Sequence, residues 1–250
     1  MSIPSTPLAV VVTMAGLGSR FRAAGYGLPK YRVEVHGRTL FAWSMESLRR
    51  FWDAGATATF VALAEDGAGP FIASEAGALG IQHHRLIELA QLTDGQATSA
   101  LLGLDQVQAE TPVVVYNIDT FVDPSAVDPA DLRGDGWIPC FPGVGDAWSF
   151  VRADDTGRVL EVREKVRISP NATVGLYGFG SAGLYRATYE DFYADPANVE
   201  RGERYIAPMY NHMVAAGREL RMTSVPAEVV HPLGTPAEVD AFASAPAPQR

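Results

Sequence analysis

Leu8-Ala9-Val10-Val11-Val12 is a continuous apolar run, largely β-branched and without polar alternation, and it predicts a strand over 8–12 buried on both faces. After a loop to about Thr39, apolar residues recur at Phe41, Met45, Leu48, Phe51 and Trp52. That is the spacing of one helical face and predicts a helix over 41–52. The alternation continues with a strand over 57–64, a helix over 71–79, a strand over 85–89, a helix over 98–107 and a strand over 112–116. Strands alternating with helices of this length define an α/β, Rossmann-like fold, with a mostly parallel mixed sheet flanked by helices.

The pattern changes after about Asp123. Strand-like segments follow at 137–141, 148–152, 158–165 and 173–179, with Asp154-Asp155-Thr156-Gly157 as a hairpin turn between two of them. Helices return over 182–193 and 205–216, followed by a strand over 219–225 and a short helix over 236–242. The end of the chain, with Pro246 and Pro248, reads as a frayed tail. No repeat, linker or charge block interrupts the sequence. The expectation is one domain over 1–243 in two parts, about 8–123 and a smaller β-rich lobe of about 124–243, then a tail over 244–250.

Composition narrows the function. With 47% hydrophobic and 20% charged residues, 250 residues fill a sizeable core. A net charge of −9 argues against a nucleic-acid binder and requires that any polyanionic ligand meet a local cluster of cations or a metal. One cysteine, Cys140, excludes an internal disulfide framework and a Cys-rich zinc site. The apolar run over 8–14 is far too short to span a membrane, and a cytoplasmic protein is expected. Of the 20 basic residues only Lys30 and Lys165 are lysine, in a composition that otherwise favours arginine. Both are therefore candidates for positions that need a compact ammonium rather than a planar fork.

Met14-Ala15-Gly16-Leu17-Gly18-Ser19-Arg20-Phe21 follows directly on the first strand, where open α/β sheets bind their ligands. Two glycines let backbone N–H groups approach phosphate oxygens, and Arg20 adds a bidentate clamp. The loop is not a dinucleotide fingerprint, because Phe21 stands where a third glycine would, and no Gly-Lys-Ser/Thr makes it a Walker loop. His83-His84 reads as a strand entry rather than a metal pair, since adjacent strand residues point to opposite faces.

Gly16-Leu17-Gly18-Ser19-Arg20-Phe21, then Pro29-Lys30 and Val33-x-Val35-x-Gly37, resembles the signature of the sugar-phosphate nucleotidyltransferases. Later segments extend the resemblance over most of the chain: Thr93-Asp94-Gly95-Gln96-Ala97, Asn117-Ile118-Asp119, Glu164-Lys165, Gly175-Leu176-Tyr177 and Gly234-Thr235-Pro236. It implies attack by an acceptor phosphate oxygen on the α-phosphorus of a nucleoside triphosphate, with release of pyrophosphate. The part over 8–123 would then hold the nucleotide, through Ala15, Gly16, Gly18, Ser19, Arg20, Lys30, Gly95 and Gln96. The part over 124–243 would hold the acceptor, through Glu164, Lys165 and Gly175. Arg20, Lys30 and Lys165 would be catalytic, and Asp119 would hold Mg²⁺ against the phosphates.

One stretch departs from that pattern. Relatives usually carry a second metal aspartate just ahead of the Gly-Thr-Pro turn, whereas here Val229-Val230-His231-Pro232-Leu233 has no carboxylate. The favoured expectation is a single protein carboxylate, with substitution by His231 or Glu228 left open. Two other readings stay in view. A glycosyltransferase of related fold would carry Asp-x-Asp where this chain has Asn117-Ile118-Asp119, and would not need the Arg20/Lys30 pair. A non-catalytic nucleotide-sensing module would not need Lys30, Asp119 and Lys165 together. Nucleotide, acceptor and homo-oligomeric state are left open.

Overall fold

The computed structural model describes residues 8–248; the first seven residues and the last two, which the domain and tail expectations include, lie outside it. Fourteen strands and eight helices occur among the described residues. The first half contains β1 (Ala9–Thr13), α1 (Ser19–Ala23), the hairpin β2 (Glu34–Val35) and β3 (Arg38–Thr39), α2 (Leu40–Glu46), α3 (Arg49–Asp53) and β4 (Thr57–Leu63). It continues through α4 (Gly69–Leu79), β5 (His84–Leu89), α5 (Gln96–Gly103), β6 (Val113–Asn117) and β7 (Thr120–Val122). The second half contains β8 (Gly136–Pro142), β9 (Ser149–Ala153), β10 (Val159–Glu164), β11 (Asn171–Thr173), β12 (Leu176–Phe179) and α6 (Ala182–Tyr193). It ends with α7 (Met209–Ala215), β13 (Leu220–Ser224), β14 (Val230–Pro232) and α8 (Pro236–Ser244).

One ten-stranded sheet runs β10-β9-β11-β8-β12-β6-β1-β4-β5, with β13 parallel to β8. The strands β5, β4, β1 and β6 are parallel, and β12 joins β6 antiparallel. The β-rich half therefore extends the same sheet. Val10 and Val12 face one core with Phe41, Phe60 and Trp137, while Val11 faces the other with Val61, Ala100 and Tyr185. Burial on both faces explains the unbroken valine runs of β1 and β6. A third cluster, Phe21, Trp43, Phe121, Leu233 and Phe242, attaches α8 and the β7–β14 pair to the first half. Among the described residues no helix is long and apolar enough to cross a membrane.

Several predicted elements differ in extent. The helix expected over 41–52 breaks at Ser47-Leu48, because the Trp52 indole N–H donates to the Met45 carbonyl at 2.9 Å and the Ser47 hydroxyl accepts from Val122 N. The strand over 173–179 is split by Gly175, whose carbonyl accepts from Asn117 N at 3.0 Å. The helix over 98–107 begins at Gln96 and ends at Gly103, beyond which Arg186 caps the carbonyls of Leu104 and Val107. The helix over 205–216 begins only at Met209, and the Tyr205 carbonyl accepts from the Tyr193 hydroxyl instead of from a helical N–H. The last helix outlasts its expected end at 242 and runs to Ser244. The 154–157 turn forms as read, with Asp154 Oδ1 accepting from Thr156 N and Arg158 N.

Candidate active site

A cleft opens at the carboxyl ends of β1 and β6 and has two halves, of about 500 and about 600 Å³. Gln96, Asn117 and Asp119 line both and form the wall between them. That wall is braced: Gln96 Nε2 donates to Thr13 Oγ1 at 3.1 Å and also to Asn117 Oδ1. Asn117 ends β6, and the Asp119 carbonyl accepts from Leu233 N at 2.8 Å, which fixes the following turn.

The smaller half contains Ala15, Gly16, Gly18, Ser19, Lys30, Gly95 and Gln96, so seven of the eight residues expected on the nucleotide side are brought together. Gly18 turns the loop into α1 with φ +58° and stands against the Lys30 stem. Gly95 caps α5 at φ 144°, where a Cβ would lie 2.4 Å from both Arg204 N and Arg204 O. Those two backbone groups accept from Ala97 N and donate to Asp94 O, so the segment after residue 200 is seated on the glycine turn. Arg20 is the exception among the eight. It is exposed and lines the larger half.

Glu164, Lys165 and Gly175, the three residues expected to meet an acceptor, all line that larger half. Lys165 sits at φ +51°, in the sparsely populated left-handed region. Burial opposes its charge, but the Tyr205 hydroxyl at 3.1 Å and the Glu164 carboxylate at 3.5 Å outweigh it and hold Lys165 above its ordinary 10.5. Glu164 accepts from the Ser149 hydroxyl, which is bonded in turn to Tyr177. At Gly175, φ +79°, a Cβ would meet the Asn117 amide at 2.9 Å.

The pairing of Lys30 with Asp119 was not foreseen. Lys30 Nζ donates to Asp119 Oδ2 at 2.8 Å, with only 16% of the lysine side chain exposed. Arg201, Tyr205, Trp148 and Glu238 also line the larger half and carried no role in the sequence reading. Glu238 had a visible signal, since Thr235-x-x-Glu238 is a capping-box pattern, and Thr235 Oγ1 does accept from Glu238 N. Arg201 and Tyr205 had none, being brought in by long-range contacts.

His231 and Glu228 line neither half. His231 stacks on Phe121 at 5.6 Å and packs against Phe242. Burial lowers its pKa below the ordinary 6.5, with Asp123 opposing in part. The folded protein then takes up this proton less readily than the unfolded chain, so stability falls as pH drops below about 6.5 and is unaffected by this group above it. Urea unfolding should show a smaller loss between pH 7.5 and 5.5 for His231→Phe than for the wild type; equal losses contradict the assignment.

A mixed ten-stranded sheet flanked by helices, with a glycine turn after β1 and two lysines and a carboxylate lining the cleft at its strand ends, has the α/β nucleotidyltransferase fold. The nucleoside-diphosphate-sugar pyrophosphorylase from Vibrio cholerae RC9 superposes with a TM-score of 0.88 at 34% identity, over 94% of this chain and 100% of that one. The inositol-1-phosphate CTP transferase from T. maritima shares the fold at TM-score 0.75 and 16% identity, over 93% and 91% of the two chains. A protein from Bacillus anthracis assigned as a glucose-1-phosphate thymidylyltransferase does so at 0.74 and 16%, over 97% and 98%. No protein-family model and no curated protein matches the chain. The chain belongs to the sugar-phosphate nucleotidyltransferase family, which sets aside the glycosyltransferase reading.

Proposed function

We propose that the protein joins a nucleoside triphosphate to a phosphorylated small molecule, a sugar 1-phosphate or a related phospho- or phosphonometabolite, with release of pyrophosphate. The observation that carries this reading is the divided cleft, in which each half has its own glycine backbone and its own lysine on either side of one wall. The acceptors named for the T. maritima and B. anthracis proteins, inositol 1-phosphate and glucose 1-phosphate, favour a polyol or sugar phosphate.

An acceptor phosphate oxygen forms a bond to the α-phosphorus as the bond to the departing pyrophosphate breaks. Catalysis of this step is positioning and charge stabilisation. The main chain of Ala15, Gly16, Gly18 and Ser19, with Gly95 and Gln96, holds the nucleotide. Lys30 meets the charge of the triphosphate, and Arg20 approaches the phosphates from the acceptor side. Lys165 and Arg201 hold the acceptor phosphate, and Glu164 accepts hydrogen bonds from acceptor hydroxyls.

The cleft lining has four cationic side chains, Arg20, Lys30, Lys165 and Arg201, against six carboxylates. Two polyanions need more positive charge than that. Among the described residues no group of three His, Cys, Asp or Glu side chains could hold a metal unaided. This donor set fits Mg²⁺, which takes one or two carboxylates with substrate phosphates and water, and Asp119 is the residue that would hold it. When bound, the ion supplies neutralisation of the phosphate charge.

Pyrophosphate release from a matrix of nucleoside triphosphates and phosphorylated acceptors tests the reading, and silence across the matrix overturns it. Within a productive pair, Lys165→Ala should raise the acceptor KM by about ten- to a hundredfold, the loss of one charge-assisted hydrogen bond. The nucleotide KM should change little. Lys30→Ala should do the reverse, weakening nucleotide use and slowing turnover. Equal, mild effects on both substrates would contradict the division.

A further inference from the structure

We propose that Glu238 is the second carboxylate of the metal site, an inference that rests on the reading that a divalent ion works at Asp119. The observation is a cradle over Gly234. A Cβ built on that glycine would stand 3.3 Å from Asp119 Oδ2 and 3.5 Å from Glu238 Oε2, so an oxygen of each carboxylate lies against the same point. Both line the larger half of the cleft. Among the described residues the Glu238 carboxylate has no hydrogen-bond or ion-pair partner, unlike the other carboxylate at the cradle.

Local structure holds Glu238 in this position. Thr235 caps α8 and Pro236 starts it, which places residue 238 in the first turn with its carboxylate beside Gly234. Asp119 is fixed by the bond that its carbonyl accepts from Leu233 N. A side chain at Gly234 would press on Asp119 Oδ2 and touch Glu238 Oε2, and glycine leaves that space open. In this structure a cation already occupies the Asp119 oxygen that faces the cradle, the ammonium of Lys30 at 2.8 Å. Two carboxylates with remaining positions for phosphate oxygen and water is a donor set that Mg²⁺ and Mn²⁺ accept. Of the acidic residues around the Gly-Thr-Pro turn, Glu228 lies off the cleft and Glu238 on it.

The competing role for Glu238 is a helix cap, an acidic residue near the positive end of α8. Glu238→Gln separates the two roles, because glutamine keeps the capping pattern while removing the charge. Binding of Mn²⁺ is followed by water-proton relaxation, with no acceptor present, for wild type, Glu238→Gln, Glu238→Asp, Glu228→Gln and Asp119→Asn. Each is measured alone and with CTP, UTP or dTTP. With nucleotide, Glu238→Gln should weaken Mn²⁺ binding at least about tenfold. Its melting temperature should stay close to that of the wild type, Glu238→Asp should bind more tightly than the glutamine variant, and Glu228→Gln should bind as the wild type does. Wild-type Mn²⁺ affinity in Glu238→Gln, with loss in Asp119→Asn, overturns the proposal and leaves the metal reading standing. Wild-type affinity in both variants, or no Mn²⁺ binding by the wild type with any nucleotide, overturns the metal reading as well.

Discussion

Asp119→Asn should lower turnover by about 10²–10³-fold, the effect of removing one charged contact that acts on the transition state. The substitution keeps the shape of the side chain, so the Leu233 N bond to the backbone and the cleft wall survive. Two interactions change. The Lys30 ammonium loses the charge it meets at 2.8 Å, and the carboxylate that would hold the metal becomes an amide, a poor magnesium ligand. Steady-state pyrophosphate release, with melting curves to confirm folding, measures the effect. Excess chelator should bring the wild type down to a similar level. Full wild-type turnover under chelation contradicts the metal reading directly.

Gly95→Ala should be the most damaging single-methyl change in the cleft. Its backbone, at φ 144° and ψ 173°, lies in a region that is essentially reserved for glycine, and forcing another residue there costs about 1–3 kcal/mol. The new Cβ would also meet Arg204 N and O at 2.4 Å, against backbone that side-chain motion cannot relieve. Separating the two segments would strain the bonds from Arg204 N to Asp94 O and from Ala97 N to Arg204 O, each worth about 1 kcal/mol. Urea unfolding should therefore show a large loss, with weakened nucleotide binding. Gly16→Ala is the matched control, since nothing lies within 4 Å of its Cβ and its backbone is unstrained. Its stability should match the wild type, and any loss of nucleotide affinity there reports contact with the ligand. Equal stability of the two variants would contradict the account of Gly95.

The layered α/β plan was legible because burial on both faces of β1 and β6 leaves valine runs that no surface strand would carry. Element ends were less so. The break at Ser47 depends on an indole seven residues away from the carbonyl it occupies, and the bend at Gly175 depends on Asn117 from another strand. The cleft followed the same division. Ala15, Gly16, Gly18 and Ser19 are local to one turn, and their proximity is a property of the sequence itself. The ion pair of Lys30 with Asp119 joins residues 89 apart, and the bond from Lys165 to Tyr205 joins residues 40 apart. Such pairings follow from the topology, and no spacing rule along the chain encodes them. The side on which Arg20 falls was also hidden, because a long exposed side chain at a helix start can reach either half.

The segment that carries Arg201 and Tyr205 is tied to the glycine turn by Arg204, through its main-chain N and O and a side-chain ion pair with Asp94 at 3.0 Å. Arg201 and Tyr205 line the larger half of the cleft, whereas Glu203 lines the smaller one. Substitution replaces side chains and leaves main-chain atoms in place. Under the proposed reaction, descendants of this sequence could exchange Arg201 or Tyr205 and so take up a new acceptor without disturbing the turn that holds the nucleotide. Gly95 has no such freedom, because any methyl there collides with the tie. The architecture therefore permits rapid divergence in what the enzyme modifies and slow divergence in what it donates.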